Sequence, residues 1–330
     1  MTIHRSSFRG FLERALERVS ESRRADGYTR LPDGEHPDLY GTAAAVGIRI
    51  ALGDRPVGHE ADELRRTVHS FAAPDGMFDD PTHGRIHRAA TAVTTLMVLG
   101  ESPSVPIPLQ GLLHADAAAP FLAGLDWDEP WLTSHDAAGL LAIGLVCADD
   151  TDGARSRWIA EYLGWLDAHA DDETGLWLRD RMGSLDEDPG LFGNMGCSFH
   201  MHFLYEWLGR GWPHPDRVVD AGMRLLQHGE SVLPAEDDPV DAWGFRQLDW
   251  VYSVGRSARS GHRTSEVTSA CTALADRAAT ALSSPDATDG DLHAVQARVG
   301  LVAELATRLP DSIDTGAFSL RSIVDVRPFI

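Results

Sequence analysis

The segment Leu39–Leu52 reads LYGTAAAVGIRIAL and contains a single charged residue, Arg49. A helix that is apolar on nearly all sides is buried. The segment Leu140–Val146, LLAIGLV, has the same character. In contrast, Phe8–Ser22 places charged residues between its apolar positions, which is typical of an amphipathic helix with one buried face. The pattern therefore predicts that an amphipathic outer helix pairs with an apolar inner helix.

This pairing recurs six times, in units of about 45–55 residues, a period typical of helical repeats. The predicted pairs, outer helix first, are Phe8–Ser22 with Leu39–Leu52, Glu60–Ala72 with His87–Leu99, His114–Ala123 with Thr133–Val146, Ala154–His169 with Gly196–Leu208, Pro215–His228 with Phe245–Val254, and Thr264–Leu282 with Asp291–Leu309. The third outer helix has the weakest pattern. Six helix pairs can close into a ring with a mouth. The sequence predicts an all-α protein, an (α/α)6 toroid with an inner ring of apolar helices.

Because the ring needs all six units, we expect one domain over residues 1–330. The tail, residues 311–330, ends in Pro-Phe-Ile and is predicted to dock on the ring. Turns of the form Gly-aromatic follow three outer helices at Gly27, Gly76 and Gly175, where a positive φ is expected. Gly53, Gly100 and Gly209 follow inner helices, as C-terminal caps do. Segments 101–110 and 179–195 are predicted loops, and no segment resembles a β-ladder.

Composition excludes several function classes. The net charge is −21, and all 29 basic residues are Arg. This charge argues against nucleic acid and anionic membranes as partners. The absence of Lys excludes Schiff-base chemistry and a Walker phosphate loop. A high-GC genome or a salt-adapted cytoplasm is sufficient to explain the use of Arg in place of Lys. No apolar run is long enough for a transmembrane helix, and the N-terminus lacks the apolar core of a secretory signal. Three widely spaced cysteines indicate reduced thiols, so we expect a cytoplasmic protein. The predicted mouth suits a small-molecule substrate. The oligomeric state is left open.

Polar side chains open every inner helix, and their starts are predicted to face the mouth. The candidates for the site are Asp38, Tyr40, His87, His135, Asp136, Asn194, His200, His202, Tyr205, Arg246, Asp249, Trp250, Tyr252 and His293. Each also has a structural interpretation. Asp38, Asp136 and Asp291 can serve as N-caps or as favourable charges at a positive helix end. His135 and Asp136 can satisfy each other.

Metal binding is not predicted. His83 and His87 have the i, i+4 spacing of helical metal ligands, but no HExxH pattern accompanies them. Cys197, His200 and His202 resemble a soft-metal set. However, residues 200 and 202 lie about 200° apart around a helix and cannot both face one ion. The sequence therefore predicts no metal and no cofactor.

The alternating helices, Gly-aromatic turns and six-fold count resemble the α/α-toroid superfamily, which includes six-hairpin glycosidases, terpenoid cyclases, protein prenyltransferases and lanthionine cyclases. The resemblance covers nearly the whole chain and is architectural. The cyclase motif Asp-x-Asp-Asp is absent, since Asp186–Pro189 reads DEDP. The lanthionine-cyclase motif Cys-His-Gly is absent too, since Ser198 follows Cys197. Cys197 suits a prenyltransferase zinc site, but no partners for it are identified.

This chain resembles most closely the six-hairpin glycosidases, which are rings with one or two carboxylates, helper His and Tyr, and aromatic residues in the mouth. The leading hypothesis is a glycoside hydrolase acting on a small glycoside. Asp136 and Asp249 would act across the glycosidic bond, with His135 beside Asp136. Arg246 would bind a uronate-type carboxylate. The alternatives are a terpenoid-cyclase-like isomerase, which needs an aromatic cavity and a protonated acid, and a non-catalytic ligand-binding ring plugged by its own tail.

Overall fold

The fold is dominated by helices. The computed structural model describes residues 5–114, 116–147, 153–177, 190–227, 232–234 and 238–330, excluding the side chains of 190–192. Helices account for 63% of the structure and strands for 3%. The predicted all-α class is therefore confirmed.

Twelve α-helices lie in the described part of the chain. The odd-numbered ones are α1 Arg9–Glu21, α3 Gly58–Ser70, α5 Ala118–Ala123, α7 Ala154–His169, α9 Pro215–Gln227 and α11 Thr264–Leu282. The even-numbered ones are α2 Leu39–Ala51, α4 Arg85–Val98, α6 Pro130–Val146, α8 Gly190–Trp207, α10 Phe245–Ser257 and α12 Leu292–Arg308. These bounds follow the predicted pairs closely. The main exceptions are α8, which begins six residues earlier than predicted, and α5, which is preceded by a 3₁₀ helix over Ile107–Leu113.

The two sets of helices differ in burial, as their sequences predict. Every residue of α2 is buried, and so are most residues of α12. In α1 only one stripe is buried, which includes Phe11, Leu12 and Ala15. The even-numbered helices therefore supply most of the core, and the odd-numbered helices cover it with one apolar face.

The even-numbered helices pack against one another in chain order. Helix α2 contacts α4, α4 contacts α6, α6 contacts α8, α8 contacts α10, α10 contacts α12, and α12 contacts α2 again. The odd-numbered helices pack on this set: α3 contacts α2 and α4, α9 contacts α8 and α10, and α11 contacts α10 and α12. The chain of contacts among the even-numbered helices thus returns to its starting point.

The predicted turns recur after α1, α3 and α7. In each turn, a residue one or two positions after the helix forms an antiparallel bridge with the aromatic residue of the turn. The pairs are Arg23 with Tyr28, Ala72 with Phe78, and Ala170 with Trp177. Gly76 and Gly175 have the expected positive φ. At Gly27 that expectation is wrong, because its φ is not positive. A Cβ there would lie 2.7 Å from Thr67 Cγ2, so close packing explains the glycine instead.

The C-terminal segment packs among the even-numbered helices. Strands β1 (Ser6–Ser7) and β2 (Ile313–Asp314) form a short parallel pair, and a 3₁₀ helix over Ile323–Asp325 then contacts α2 and α8. Arg327 Nη1 donates to Ala43 O of α2 and to Thr95 Oγ1 of α4. Arg327, Phe329 and Ile330 are all buried.

Two predictions fall partly outside the described residues. The predicted loop 179–195 is described only from residue 190, where α8 has begun. His228, the predicted end of the fifth outer helix, also lies outside them. None of the described helices combines the length and apolar composition needed to cross a lipid bilayer.

Candidate functional site

Five imidazoles from different parts of the chain meet near the starts of the even-numbered helices. This histidine cluster consists of His83, His87, His135, His200 and His293. Tyr40 and His293 occupy the second positions of α2 and α12, and His87 the third position of α4. His83 precedes α4, His135 lies in the second turn of α6, and His200 lies further along α8. The cluster thus joins four even-numbered helices, and Tyr40 adds a fifth.

The rings of the cluster are in contact. The centroids of His83 and His87 are 4.3 Å apart and the rings are stacked. His135 lies 4.7 Å from His87 and 5.0 Å from His200. His293 lies 6.1 Å from His83, and Tyr40 lies 4.5 Å from His83. His87, His200 and Tyr40 are buried, whereas His83, His135 and His293 are partly exposed. The cluster therefore reaches from the surface into the core.

Burial keeps the cluster neutral. The pKa values of His135 and of His293 are lowered to about 3. Burial is the largest cause, and the neighbouring imidazoles contribute to both shifts. The pKa values of the more deeply buried His87 and His200 are also well below their ordinary range, first because of burial and then because of the other rings. At neutral pH each ring has one N–H and one bare nitrogen, so each can donate or accept a hydrogen bond.

Hydroxyl groups hold two of these rings. Tyr40 Oη lies 2.6 Å from His87 Nδ1, and Ser134 Oγ lies 2.8 Å from His200 Nδ1. His293 Nδ1 lies 3.2 Å from the amide oxygen of Gln296. The orientation of these three rings is therefore fixed by their neighbours.

Asp249 is a fully buried carboxyl group beside the cluster. Its residue has no exposed surface, and neither carboxyl oxygen has a hydrogen-bond partner among the described residues. Burial raises the pKa of this carboxyl well above its ordinary range, which favours the protonated form. A buried carboxyl without a partner is costly, and such groups are concentrated at functional sites.

Trp131 connects Asp249 to the cluster. A Cβ on Gly196 of α8 would lie 3.2 Å from Asp249 Oδ2 and would overlap the ring of Trp131. The missing side chain therefore lets the indole and the carboxyl group approach the same point on α8. The indole also lies 5.3 Å from the ring of His200 and 5.6 Å from that of His135. Asp249, Trp131 and His200 are thus neighbours along one side of α8.

Asp136 has different surroundings. A Cβ on Gly84, which lies between His83 and the first residue of α4, would lie 3.4 Å from Asp136 Oδ1. Burial raises the pKa of Tyr162 on the odd-numbered helix α7, and Asp136 adds to this shift. Asp136 is half-buried, and burial raises its pKa. No contact joins Asp136 to Asp249 in the described part of the chain. The structure brings His135, rather than the adjacent Asp136, into the cluster.

Several other predicted site residues make contacts away from the cluster. His202 Nδ1 lies 2.9 Å from Ser253 Oγ, and its ring lies 4.0 Å from that of Trp212. Tyr205 donates to Asp167 of α7, and Trp250 donates to Gly222 O. These side chains tie α8 and α10 to their neighbours.

The remaining candidates are of four kinds. Asp38 and Asp291 are N-caps, accepting from Gly41 N and His293 N respectively. The guanidinium carbon of Arg256 lies over the ring of Tyr252, 3.9 Å from the ring centroid. Asn194 is buried with an unpartnered Oδ1, whereas Arg246 is exposed and borders a cleft of about 400 Å³ that also includes Phe245. Because Phe245 contacts His293 at 4.7 Å, this cleft adjoins the cluster.

Two residues of the site were missed by the sequence reasoning. Trp131 precedes His135 by four residues and so shares its helix face, a signal that was available. Phe329, which contacts His87 at 4.8 Å, comes from the far end of the chain and has no local signal. A cleft of about 1070 Å³ has five aspartates of segments 238–241 and 276–289 in its lining, and none of its lining residues belongs to the cluster.

The last groups to consider are the three cysteines and the possible metal ligands. Cys147, Cys197 and Cys271 are free and buried, and burial raises the pKa of each thiol to about 12. Within the described residues, no group of three or more His, Cys, Asp or Glu side chains has an arrangement that could hold a metal ion.

No protein-family model matches this chain, and comparisons with curated proteins and with solved structures find no significant match.

Proposed function

We propose that the twelve helices form an (α/α)6 toroid, with the even-numbered helices as the inner ring. The cyclic order of their contacts supports this arrangement. The meeting of Tyr40, His87 and His293, all in first helical turns, supports a mouth where the starts of the inner helices converge.

We propose further that the chain is a sugar-processing enzyme, a hydrolase of small glycosides, uronate-type glycosides included. The observation that carries this proposal is that a fully buried, unpartnered carboxyl group, Asp249, lies beside Trp131 and so next to the histidine cluster. A sugar supplies hydroxyl groups that can satisfy both the bare nitrogens and the N–H groups of such a cluster. Trp131 offers an aromatic face beside them.

The roles follow from the protonation states. Asp249, held protonated by burial, is the general acid that protonates the leaving-group oxygen. A neutral imidazole is the general base that activates water, a role that the sequence assigned to a second carboxylate. Asp136 lies beside Gly84 at the start of α4 and is not in contact with Asp249 among the described residues, so we assign it no part in this step. Acid and base acting in one displacement predict inversion at the anomeric carbon.

The test is a panel of small glycosides and uronides, with product formation followed by NMR. We expect hydrolysis of at least one member, loss of turnover in Asp249→Asn, and nearly full activity in the matched control Asp136→Asn. Activity retained by Asp249→Asn would contradict the proposed acid. Turnover that requires Asp136 as well would restore the two-carboxylate mechanism.

A second candidate is a terpenoid-cyclase-like isomerase, which Asp249 favours because that reaction starts with protonation by a buried acid. Aromatic rings near the acid, Trp131 among them, are a further point in favour. The neutral imidazoles count against it, since nucleophilic nitrogens would capture a carbocation. Product analysis with a polyprenyl substrate distinguishes the two. A non-catalytic ring would have its mouth plugged by the tail, and the packing of the buried Phe329 against His87 is a point in its favour. It predicts no cluster of titratable groups with shifted pKa values, so the histidine cluster counts against it.

A further inference from the structure

Two imidazoles of the cluster differ in the hydroxyl group that holds their Nδ1. His200 Nδ1 faces a serine, and His87 Nδ1 faces a tyrosine. In a neutral imidazole, the partner of one nitrogen decides which nitrogen has the proton. The two hydroxyl groups therefore decide what each ring presents on its other side, at Nε2.

Ser134 can donate only once. Its hydroxyl lies 2.7 Å from the carbonyl oxygen of Trp131, three residues earlier in α6, and donates to it. Serine and threonine in helices commonly donate to a preceding carbonyl, and Thr94 and Thr95 do so in α4. Because the only hydrogen of Ser134 is used in this way, the 2.8 Å contact with His200 needs a hydrogen on Nδ1. The Nε2 of His200 is then bare.

Tyr40 has the opposite effect. His87 Nδ1 lies 2.6 Å from the Tyr40 hydroxyl and 3.5 Å from Thr91 Oγ1, so the phenol is the nearer partner of this nitrogen, and we assign its O–H as the donor. At 2.6 Å, His87 Nδ1 is therefore the acceptor, and the proton of His87 is on Nε2. His293 does not permit the same argument, because the amide of Gln296 can present either its oxygen or its nitrogen.

We propose that Ser134 and Tyr40 are positioning residues that set opposite tautomers, making His200 the general base and His87 a hydrogen-bond donor to the substrate. This assignment deepens the proposed glycoside hydrolysis and depends on it for its chemical meaning. Asp249 contacts α8 at Gly196, one helical turn or about 6 Å before His200, so acid and base act from the same side of α8.

The assignment gives a balanced step. His200 Nε2 takes a proton from water as the water oxygen bonds to the anomeric carbon. The bond from that carbon to the leaving-group oxygen breaks, and this oxygen takes the proton of Asp249. The imidazolium of His200 and the carboxylate of Asp249 remain, and transfer of one proton between them through solvent restores the starting state. His87 Nε2–H donates a hydrogen bond throughout and loses no proton.

The experiment is long-range proton–nitrogen NMR of the full chain with ¹⁵N-labelled histidine at neutral pH, since this spectrum distinguishes protonated from bare ring nitrogens. His87→Gln and His200→Gln assign the two signals. We expect His200 protonated on Nδ1 and His87 protonated on Nε2. Finding a bare Nδ1 on His200, or a protonated Nδ1 on His87, would overturn the assignment in the unsubstituted protein, whether or not any variant folds.

Single substitutions then test the positioning roles. Ser134→Ala is expected to change the tautomer of His200 alone, and Tyr40→Phe that of His87 alone. Ser253→Ala is the matched control, because it removes the same kind of serine contact from His202. It should leave both cluster signals unchanged. If Ser134→Ala leaves the His200 signal unchanged, Ser134 does not set this tautomer.

Kinetics separates this inference from the proposed function. With an identified glycoside, Ser134→Ala should lower kcat by about 10- to 100-fold, the usual effect of losing a hydrogen bond to a group that becomes charged, and Ser134→Thr should restore it. Predicted tautomers without turnover of any glycoside would refute the proposed function alone. Turnover with the other tautomers would refute the present assignment alone.

Discussion

Replacing Asp249 by Asn should stabilise the protein increasingly as the pH rises. The carboxyl group is fully buried without a partner, and burial raises its pKa in the folded state well above the ordinary value. In the unfolded chain the same group has a pKa of about 3.9. Above that pH the folded state therefore binds more protons at this site than the unfolded state. By linkage, this site lowers the free energy of unfolding as the pH rises toward the folded pKa.

The size of the effect follows from the same relation. Each pH unit between the unfolded and the folded pKa costs about 1.4 kcal/mol. Asparagine has nearly the same shape and does not ionise, so this cost is absent in the variant. Any loss from burying the amide is independent of pH. The difference in unfolding free energy between Asp249→Asn and the unsubstituted protein should therefore grow by about 1.4 kcal/mol per pH unit from pH 5 upward, until the folded pKa is reached.

Urea denaturation at pH 5, 6, 7 and 8 measures this difference. The histidines also change stability over this range, but they do so in both proteins and cancel in the comparison. Asp136→Asn is the control, because that half-buried carboxyl should give a smaller slope. A constant difference between Asp249→Asn and the unsubstituted protein would show that Asp249 is ionised in the folded state. It would also remove the basis for its role as an acid.

Three further outcomes are expected. Burial lowers the pKa of His135 to about 3 in the folded state, so unfolding takes up a proton below pH 6.5, and the free energy of unfolding decreases as the pH is lowered from 6.5 toward 3. In His135→Gln the thermal midpoint should therefore decrease less steeply over this pH range. Equal slopes of thermal midpoint against pH in the two proteins would contradict this. Phe329→Ala removes a buried ring that packs against His87 and should cost about 3–5 kcal/mol in urea denaturation, whereas a loss under 1 kcal/mol would show that the tail does not stabilise the fold. Arg256 pairs with the buried Glu304 and with Asp325 of the tail. Arg256→Met should therefore lower the free energy of unfolding by about 3–5 kcal/mol, because a buried carboxylate loses its partner. An unchanged urea midpoint would refute that account.

The sequence predicts the helices well because burial is recorded in each segment. Leu39–Ala51 is apolar around its whole circumference and is entirely buried, so its place in the core needs no information from other segments. The amphipathic α1 is equally readable, since its spacing marks one buried face. The turn glycines are less readable. Gly27 occupies the same place in the repeat as Gly76, but Thr67 rather than a positive φ accounts for it.

The site is harder to predict, because the facing of a side chain depends on the exact phase of its helix. His135 and Asp136 are adjacent in sequence and about 100° apart around α6. The ring of one joins the histidine cluster, whereas the carboxyl group of the other lies beside Gly84 at the start of α4. The same phase directs His200 toward Ser134 and His202 toward Ser253. A list of polar residues near a helix start therefore includes both site residues and side chains that tie neighbouring helices together.

The position of the cluster also affects the charge that a ligand meets. His87 and His293 lie in first turns, where the helix macrodipole is positive, and this disfavours a protonated imidazole as burial does. The nearby Asp38 and Asp291 accept hydrogen bonds from backbone N–H groups of α2 and α12. Although the chain has a net charge of −21, the rings at this opening are neutral and helix starts surround them. An anionic sugar such as a uronide would therefore meet hydrogen-bond donors there, which is why uronides belong in the substrate panel.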